Sequence, residues 1–587
     1  MYTYLKRVAL AALLPIAACA PSGTSTETAP APTPAAPAPD PFTPAARVHA
    51  PQPTTAAISP ADLRTRLYIF SDDSMQGREA GTPGNVKGTD YIASEIRKMG
   101  LVPAGDNGTY FQTIPLKTRT LSDAIAFTVN GSALKPFEEF IPVTDHGMSN
   151  SSLQVVYGGV LGDSANRVSP DQARGKLIVF SLPSGAGMAA LRGMRRSPIE
   201  GLEPAAVAVA GLDALPPQFV AYFKEPRTFL DEGKDDDAGR TTLYISDAAA
   251  AKLFSSPMAQ LQPGASGATV ALNVAYDVKP VEFPARNVVG IVPGSDPKLK
   301  GEYVAIGAHN DHVGIASHAV DHDSLRIWNH VVRPEGADDG DKQATAEQQA
   351  QVNQELAAFR TKYPQSARRD SINSGADDDG SGSVSTLEIA QKISSMQVKP
   401  KRSILFVWHV GEEKGLLGSR WFTDHPTVPR DSIVAQLNMD MIGRGGAGDE
   451  TGRTKDGTPI HGSPDYLQLV GSRRLSTELG NIVEQVNTEG NHNLKFDYSI
   501  DADGHPANIY CRSDHYEYAR YGIPITFFTT GLHSDYHQVS DEPQYIDYDH
   551  MARIASLVED IALHVANLDH RVVVDHPKPD PNGVCRQ

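Results

Sequence analysis

The chain has 587 residues, and its 53 Lys and Arg against 70 Asp and Glu give a formal net charge of −17. Because a domain averages roughly 150 residues, this length predicts more than one domain. A composition of 40% hydrophobic and 21% charged residues excludes a chain that is disordered throughout, a collagen and a polytopic membrane protein. The acidic balance argues against binding to nucleic acid, which needs a basic surface. Three cysteines exclude a disulfide scaffold and a four-cysteine zinc finger.

The N-terminal segment 1–18 predicts export. Lys6 and Arg7 precede an apolar stretch that is too short to cross a bilayer, which requires about 20 apolar residues. Two alanines then precede Cys19, a pattern similar to a bacterial lipobox. We therefore expect a lipoprotein attached through lipidated Cys19 to the periplasmic side of a bacterial membrane. The alternative is an ordinary cleaved signal and a secreted protein.

Residues 19–57 are dominated by Ala, Pro and Thr. Such a composition cannot bury a core and favours extended conformations. We expect this segment to be a flexible tether between the membrane anchor and a folded body that begins at residue 58.

The folded body is predicted to contain two domains. Helical patterns at 62–70 and 89–99 begin it. Between 136 and 279, short apolar runs separated by Gly, Pro and Asp predict a mostly β module inserted into the chain. The flanking segments, 58–135 and 280–570, are predicted to form one domain.

The second half of the body predicts an α/β fold. Continuous apolar runs alternate with helical stretches and end with an apolar helix; the runs lie at 288–292, 303–308, 403–408, 433–439 and 525–530, and the helix at 551–568. Strands buried on both faces are typical of a mixed, mostly parallel sheet flanked by helices. Residues 571–587 are predicted to be a loose tail, and Cys511 and Cys585 could pair in an oxidising compartment.

Metal-binding residue types follow the ends of these apolar runs. His309 and Asp311 follow one run, Glu412 and Glu413 another, and Asp440 a third; His537 follows the last run, and Asp378 lies just before a helix that starts near 383. In open α/β sheets, the carboxyl ends of the strands form the ligand-binding edge. A single His or carboxylate is most often a solvated or capping residue, but five segments with the same arrangement predict a metal site.

The donor set predicts zinc first, with cobalt or manganese as alternatives, because it consists of imidazoles and carboxylates and contains no thiolate. It is large enough for two ions about 3.5–4 Å apart that share one bridging aspartate. A further carboxylate must accept the proton of the attacking water and return it to the leaving group, and we expect Glu412 to do so.

Five motifs resemble the co-catalytic zinc aminopeptidases of metallopeptidase family twenty-eight. They lie at 307–314 (GAHNDHVG), 374–382 (SGADDDGSG), 411–419 (GEEKGLLGS), 438–443 (NMDMIG) and 535–537 (DYH). The segment 76–82 (QGREAGT) is also similar to bacterial members, and the module at 136–279 resembles the protease-associated domain inserted in many relatives. The resemblance extends over residues 60–570 and implies a zinc-exopeptidase fold that acts on peptides.

The resemblance also implies a role for each candidate residue. Asp378 would bridge two zinc ions; one ion would be completed by Glu413 and His537, and the other by His309 and Asp440. Glu412 would be the general base that generates a metal-bound hydroxide, and Asp311 would orient His309. In this family the peptide bond after the bridging aspartate is cis, which would be the Asp378–Asp379 bond in this chain.

The segment 312–373 is longer than we expect for the family. Within it, residues 336–341 (GADDGD) imitate the bridging motif, but we prefer Asp378 to Asp339 because an apolar-periodic helix follows Asp378. The segment also contains His318, His322 and His330. We expect a solvated lid over the cleft, with an additional metal site as the alternative.

Three other activities are compatible with the resemblance. The first is a dipeptidase or carboxypeptidase. Carboxypeptidase relatives carry a long helical dimerisation domain after the catalytic domain, and since only fifty residues follow His537, the carboxypeptidase version is disfavoured. A glutaminyl cyclase-like transferase is disfavoured because both His309 and Asp440 are present, and a non-catalytic binding protein is disfavoured because the ligand set is complete. The expected activity is therefore aminopeptidase activity on peptide substrates.

Overall fold

The computed structural model describes residues 47–144, 147–183, 200–233, 240–254, 256–333, 342–444 and 465–587. The export segment 1–18, Cys19, most of the predicted tether and Asp339 lie outside the described residues, so the predictions for them stay predictions. Among the described residues, none of the helices has both the length and the apolar composition needed to cross a membrane.

The larger domain is built on a mixed sheet of nine strands within the described part of the chain. In chain order the strands are Val102–Pro103, Phe111–Ile114, Ala285–Val292, Tyr303–His309, Ser403–His409, Ile433–Met439, Tyr466–Val470, Lys495–Asp497 and Ile525–Thr529. Four of them form a parallel centre in the order Ser403–His409, Tyr303–His309, Ile433–Met439 and Ile525–Thr529. The predicted apolar runs are therefore neighbouring strands, and the carboxyl ends of these four strands lie at one edge.

Both faces of this sheet are buried, which explains why its strands are continuously apolar. Side chains alternate between the two faces of a strand. Ile404 and Phe406 belong to one core, whereas Leu405 and Val407 belong to the core on the opposite face. The helices around the sheet are Pro60–Phe70, Pro83–Lys98, Gly382–Ser395, Leu417–Asp424, Thr477–Glu489, His515–Ala519 and Tyr548–Asn567.

The predicted helix at 89–99 begins earlier, at Pro83. Proline is favoured at the first helical position because its fixed φ suits the helix and its missing N–H is not needed there. The first turns bury Gly84 and Gly88, which carry no apolar side chain and therefore give no helical periodicity in the sequence.

The inserted module contains an eight-stranded sheet. Its strands are Ala126–Val129, Ser132–Ala133, Phe140–Pro142, Met148–Val160, Leu177–Ser181, Ala206–Ala210, Thr241–Ile245 and Ser266–Val274. Three further strands, Leu116–Leu121, Arg227–Leu230 and Tyr276–Pro280, pair as a separate small sheet. Short helices at Pro170–Ala173, Pro217–Tyr222 and Asp247–Leu253 complete the module. The predicted start at 136 is late, because the first two strands of the eight-stranded sheet precede it.

The segment 312–373, called the 312–373 insert below, has a structure of its own. Strands Ile315–Asp321 and Arg369–Ile372 pair with each other, and helices His322–Val332 and Ala346–Lys362 follow the first strand. Ile327, Val332 and Val352 form a small buried core between the helices.

The C-terminal segment corrects the prediction of a loose tail at 571–587. Cys585 forms a disulfide with Cys511. Arg520 Nη1 donates to the carbonyl oxygen of Pro581 at 3.0 Å, and Gln587 Oε1 accepts from the Tyr510 backbone N–H at 3.0 Å. The tail has no helix or strand, but its contacts hold it against the domain.

The end of the predicted tether is also ordered. Thr54 Oγ1 donates to Gln391 Oε1 at 3.1 Å, and the Thr55 backbone N–H donates to Asp62 Oδ2 at 2.9 Å. Since these bonds hold the chain on two helices of the larger domain, residues 54–57 belong to the folded body and not to the tether predicted at 19–57.

Candidate metal centre

The structure brings all the predicted ligand residues to one place. His309 is the last residue of its strand, and Glu412, Glu413, Asp440 and His537 follow the ends of the three neighbouring strands. Histidine and carboxylate atoms form two groups whose members lie within 4.8 Å of one another: His312, Asp378, Glu413 and His537 in one, and His309, Asp379 and Asp440 in the other. Within the described residues, these are the clusters that could hold a metal ion.

Asp378 lies between the two groups. Its Oδ1 is 3.1 Å from His309 Nε2, and its Oδ2 is 3.1 Å from His537 Nε2. Asp378 is buried, and although burial disfavours its charge, the two imidazoles hold its pKa well below the usual value. A carboxylate with one oxygen toward each histidine is suited to bridge two cations.

Asp379 is directed to backbone amides instead. Its Oδ2 accepts the N–H of His309 at 2.9 Å, and its Oδ1 accepts the N–H of Gly382 at 2.8 Å. The peptide bond between Asp378 and Asp379 is cis, as the family resemblance implies. Asp379 thus holds the strand end that carries His309, and Asp378 faces the cluster.

Glu413 and Glu412 have different partners. Glu413 Oε2 is 2.9 Å from His537 Nε2, within the first group. Glu412 Oε2 is 3.9 Å from His309 Nε2, and burial together with the nearby Asp440 and Glu413 raises the Glu412 pKa well above its usual value. Glu412 therefore lies beside the cluster as an additional carboxylate.

Asp440 completes the second group. Its Oδ1 is 3.6 Å from His309 Nε2, and its Oδ2 accepts a hydrogen bond from Ser513 Oγ at 2.8 Å. Burial opposes a positive charge on His309, but Asp440 and the other carboxylates outweigh it and raise the His309 pKa. Ser513 is a contact that sequence reasoning missed; its position between Arg512 and Asp514 gives no periodic signal.

Asp311 contacts His309 through its backbone carbonyl group. His309 Nδ1 lies 3.0 Å from the Asp311 carbonyl oxygen, whereas the nearer carboxylate oxygen is 3.8 Å away. The carboxylate accepts the backbone N–H of Glu412 at 3.2 Å. Asp311 therefore orients His309 through its backbone and Glu412 through its side chain.

His312 was not among the predicted ligands. Its ring is fully buried, and its Nδ1 is 2.8 Å from Glu413 Oε1. His312 is in the GAHNDHVG motif, three positions after His309, so its proximity to the candidate metal ligands along the chain was visible in the sequence. Only the turn after the strand decides that both imidazoles face the same cluster.

Two further side chains hold the loop that carries Asp378. Asp541 accepts the backbone N–H groups of Asp377 at 2.9 Å and Asp378 at 3.1 Å. From the other side, the fully buried guanidinium of Arg78 donates to the carbonyl oxygens of Ser374 and Gly375, both at 2.8 Å. The 76–82 motif thus contributes a structural support of the centre.

Tyr536 covers one side of His537. The two rings are stacked, with centroids 3.8 Å apart. Burial and the neighbouring carboxylates of Asp378 and Glu413 raise the Tyr536 pKa. The phenol therefore stays protonated and is available as a hydrogen-bond donor beside the cluster.

The donor set fits zinc. His309 Nε2 and His537 Nε2, which face the cluster, are buried and have no hydrogen-bond partner of good geometry, which is costly for a polar atom unless it binds something else. Imidazole nitrogens and carboxylate oxygens without thiolates are ligands that Zn²⁺ accepts in sites with an open position. Among the described residues, the other three histidines of the 312–373 insert, His318, His322 and His330, belong to neither of the two groups.

Comparison with known proteins gives a family for this part of the chain. Residues 287–562 match the model of peptidase family M28. The chain is 30% identical over 217 residues to leucine aminopeptidase 1 of Trichophyton equinum, which covers 33% of this chain and 51% of that protein. It is also 30% identical over 217 residues to leucine aminopeptidase 1 of Aspergillus oryzae, covering 34% and 51%.

The match to these relatives is partial, because the chain spans about half of their length. Among solved structures, an aminopeptidase from Aneurinibacillus sp. strain AM-1 is 16% identical, with a TM-score of 0.47 over 89% of this chain and 97% of that chain. Residues 287–562 of this chain, with the sequence motifs within them, are therefore similar to peptidase family M28.

Proposed function

We propose that this protein is a two-zinc aminopeptidase that removes N-terminal residues from peptides. The observation that carries the proposal is the Asp378 carboxylate, whose two oxygens are each 3.1 Å from a different histidine, His309 and His537. The names of the fungal relatives, leucine aminopeptidase 1, support an exopeptidase.

The proposed ligands form two sets around Asp378. One ion would be held by Asp378, Glu413 and His537, with His312 as a further donor, and the other by Asp378, His309 and Asp440. Zinc bound in such a site polarises a carbonyl group and lowers the pKa of water.

The chain supplies the proton transfer and the orientation of the reacting groups. Glu412 would accept a proton from the attacking water and return it to the leaving amine; its backbone N–H is held by Asp311. Tyr536, which stacks on His537, would donate a hydrogen bond to the scissile carbonyl. Ser513 and the Asp311 carbonyl group keep Asp440 and His309 in orientation.

The activity is tested with matched peptides that have a free or a blocked N-terminus, with and without a chelator. We expect cleavage of the free-amine peptides alone, and loss of that cleavage in the chelator. Equal cleavage of blocked peptides would remove the aminopeptidase assignment. Release of C-terminal residues would favour the carboxypeptidase alternative, and cyclisation of N-terminal glutamine would favour the transferase.

We further propose that the chain is an exported lipoprotein and that the β module is a protease-associated domain. The lipobox-like end of the 1–18 segment supports the anchor, and the segment 175–180 (GKLIVF) supports the domain. A Cys19→Ser variant should move from the membrane fraction to the soluble fraction. An unchanged distribution of the variant would contradict the lipid anchor.

A further inference from the structure

The 312–373 insert contacts the segment that carries His537. Helix His322–Val332 of the insert and the segment 531–545 meet through buried polar side chains. This segment follows the last central strand, Ile525–Thr529, and contains Ser534, Gln538 and Glu542. The contacts are specific hydrogen bonds, so one face of the insert is packed against this segment.

Asn329 makes the central contact. Its side chain is 1% exposed, and its Nδ2 donates to the Ser534 carbonyl oxygen at 3.0 Å and to Gln538 Oε1 at 2.6 Å. Ser534 and Gln538 lie on either side of His537 in the chain. One buried carboxamide therefore joins both ends of the short turn that presents the imidazole.

A second contact lies at the end of the same segment. His322 Nε2 is 2.8 Å from Glu542 Oε2, and Arg368, from the returning strand of the insert, donates to the same oxygen. Glu542 follows Asp541, whose carboxylate accepts the backbone N–H groups of Asp377 and Asp378. The insert thus holds this segment at two points.

His537 has more need of such support than the other ligand residues. Its side chain is 34% exposed, whereas that of His309 is 0% exposed. His537 also has a positive φ of 56°, a conformation that non-glycine residues adopt rarely. His309 ends a central strand and is held by the sheet, but His537 lies on a loop that would lose conformational entropy on ordering.

We propose that the 312–373 insert is a positioning element for His537, which acts through Asn329 and thereby strengthens one of the two metal positions. The inference rests on the proposed function, because it assigns the insert a role at that metal centre. Supporting contacts around a metal ligand are typically worth 10–100-fold in metal affinity. The position that contains His537 and Glu413 should depend on Asn329, and the position that contains His309 and Asp440 should not.

The test is a zinc titration of the full, metal-free chain, followed by calorimetry, with Asn329→Ala and a matched control. Asn353→Ala is the control, because Asn353 is exposed on the second helix of the insert, where its Oδ1 accepts a hydrogen bond from Gln349 of the same helix at 3.1 Å. We expect Asn329→Ala to weaken one of two binding steps by about 10–100-fold and to leave the other unchanged. If the two variants bind zinc with the same affinities, the inference is overturned. It is also overturned if Asn329→Ala weakens both binding steps equally.

Two more variants, Gln538→Ala and the Asn329→Ala, Gln538→Ala double variant, distinguish the proposed contact from a general loss of folding. If Asn329 acts through the His537 turn, Gln538→Ala should weaken the same zinc-binding step, and Asn329→Ala should have a smaller effect in the Gln538→Ala background than in the unaltered chain. Additive effects of these two substitutions would overturn the inference. Far-ultraviolet circular dichroism of each metal-free variant checks that the fold is retained.

The proposed function can fail separately. If the unaltered protein binds two zinc ions but cleaves no peptide, the aminopeptidase assignment fails and the inference about the insert stands. If the unaltered protein cleaves free-amine peptides and Asn329→Ala titrates like Asn353→Ala, the inference fails and the function stands.

Discussion

At the scale of single residues, adjacent glutamates have different surroundings. Glu413 Oε2 is 2.9 Å from His537, whereas Glu412 Oε2 lies 3.9 Å from His309 and belongs to neither group of candidate ligands. The strand has ended before both residues, so the turn directs the two side chains apart. This difference supports the proposed division between metal binding by Glu413 and proton transfer by Glu412.

The first prediction concerns Glu412→Gln. The amide cannot accept the proton of the attacking water, and loss of general base catalysis typically costs about 10²–10⁴-fold in rate. We expect kcat to fall by that amount while zinc content stays unchanged, as measured by peptide assay and elemental analysis on the same preparation. Loss of zinc together with activity would show that Glu412 is a ligand.

The second prediction compares the two similar acidic motifs. Asp378→Asn should lose zinc from both positions, since the two oxygens of Asp378 face both histidine groups. Asp339→Asn is the matched control, because Asp339 is in the imitating motif at 336–341, and it should retain both ions. Elemental analysis measures the result; the reverse outcome would end the assignment of Asp378 as the bridge.

At the scale of elements, helix His515–Ala519 buries an imidazole. His515 is fully buried and its ring stacks on Phe527 with centroids 4.6 Å apart. Burial disfavours the charged form and lowers the His515 pKa to about 3. The helix therefore requires a neutral histidine.

The third prediction is a pH dependence of stability. Between about pH 6.5 and 3 the unfolded chain binds a proton at His515 and the folded chain does not, so the free energy of unfolding decreases as the pH falls. From pH 7 to pH 5 this group should contribute a loss of about 2 kcal/mol. Denaturant unfolding of the metal-free protein at pH 7 and at pH 5 measures this change. The free energy of unfolding of the His515→Phe variant should decrease less between the two pH values, because the variant lacks the imidazole. The same loss in both proteins would contradict the assignment.

At the scale of the whole molecule, a disulfide joins the C-terminal segment to a distant part of the larger domain. The disulfide between Cys511 and Cys585 closes a loop with a sequence separation of 74 residues. The connected tail also contacts Arg520 and Tyr510. The C-terminus thus supports the segment from which Ser513 reaches Asp440.

The fourth prediction concerns this disulfide. A Cys511→Ser, Cys585→Ser double variant should have a free energy of unfolding lower by about 2–4 kcal/mol, because the unfolded chain gains conformational freedom. Denaturant unfolding measures the difference. Reducing agent should lower the stability of the unaltered protein to the same value and leave the variant unchanged; a variant as stable as the oxidised protein would contradict the prediction.

The fold was largely predictable because its signals are local. Continuous apolar runs such as 403–408 and 433–439 correspond to the central strands Ser403–His409 and Ile433–Met439. Burial on both faces forces such runs to be apolar. The N-terminal turns of helix Pro83–Lys98 and the first strands of the β module were missed, because buried glycines and two- to four-residue strands carry little periodicity.

The sequence by itself determined the strand runs, the ligand types at their ends and the motif order, because these depend on neighbours in the chain. Only the tertiary structure decided that Asp378 faces the cluster while Asp379 binds backbone amides, that His312 lies against Glu413 and that Asn329 holds the turn of His537. These contacts join residues from separate segments, and their side-chain directions depend on how the strand ends and loops pack together.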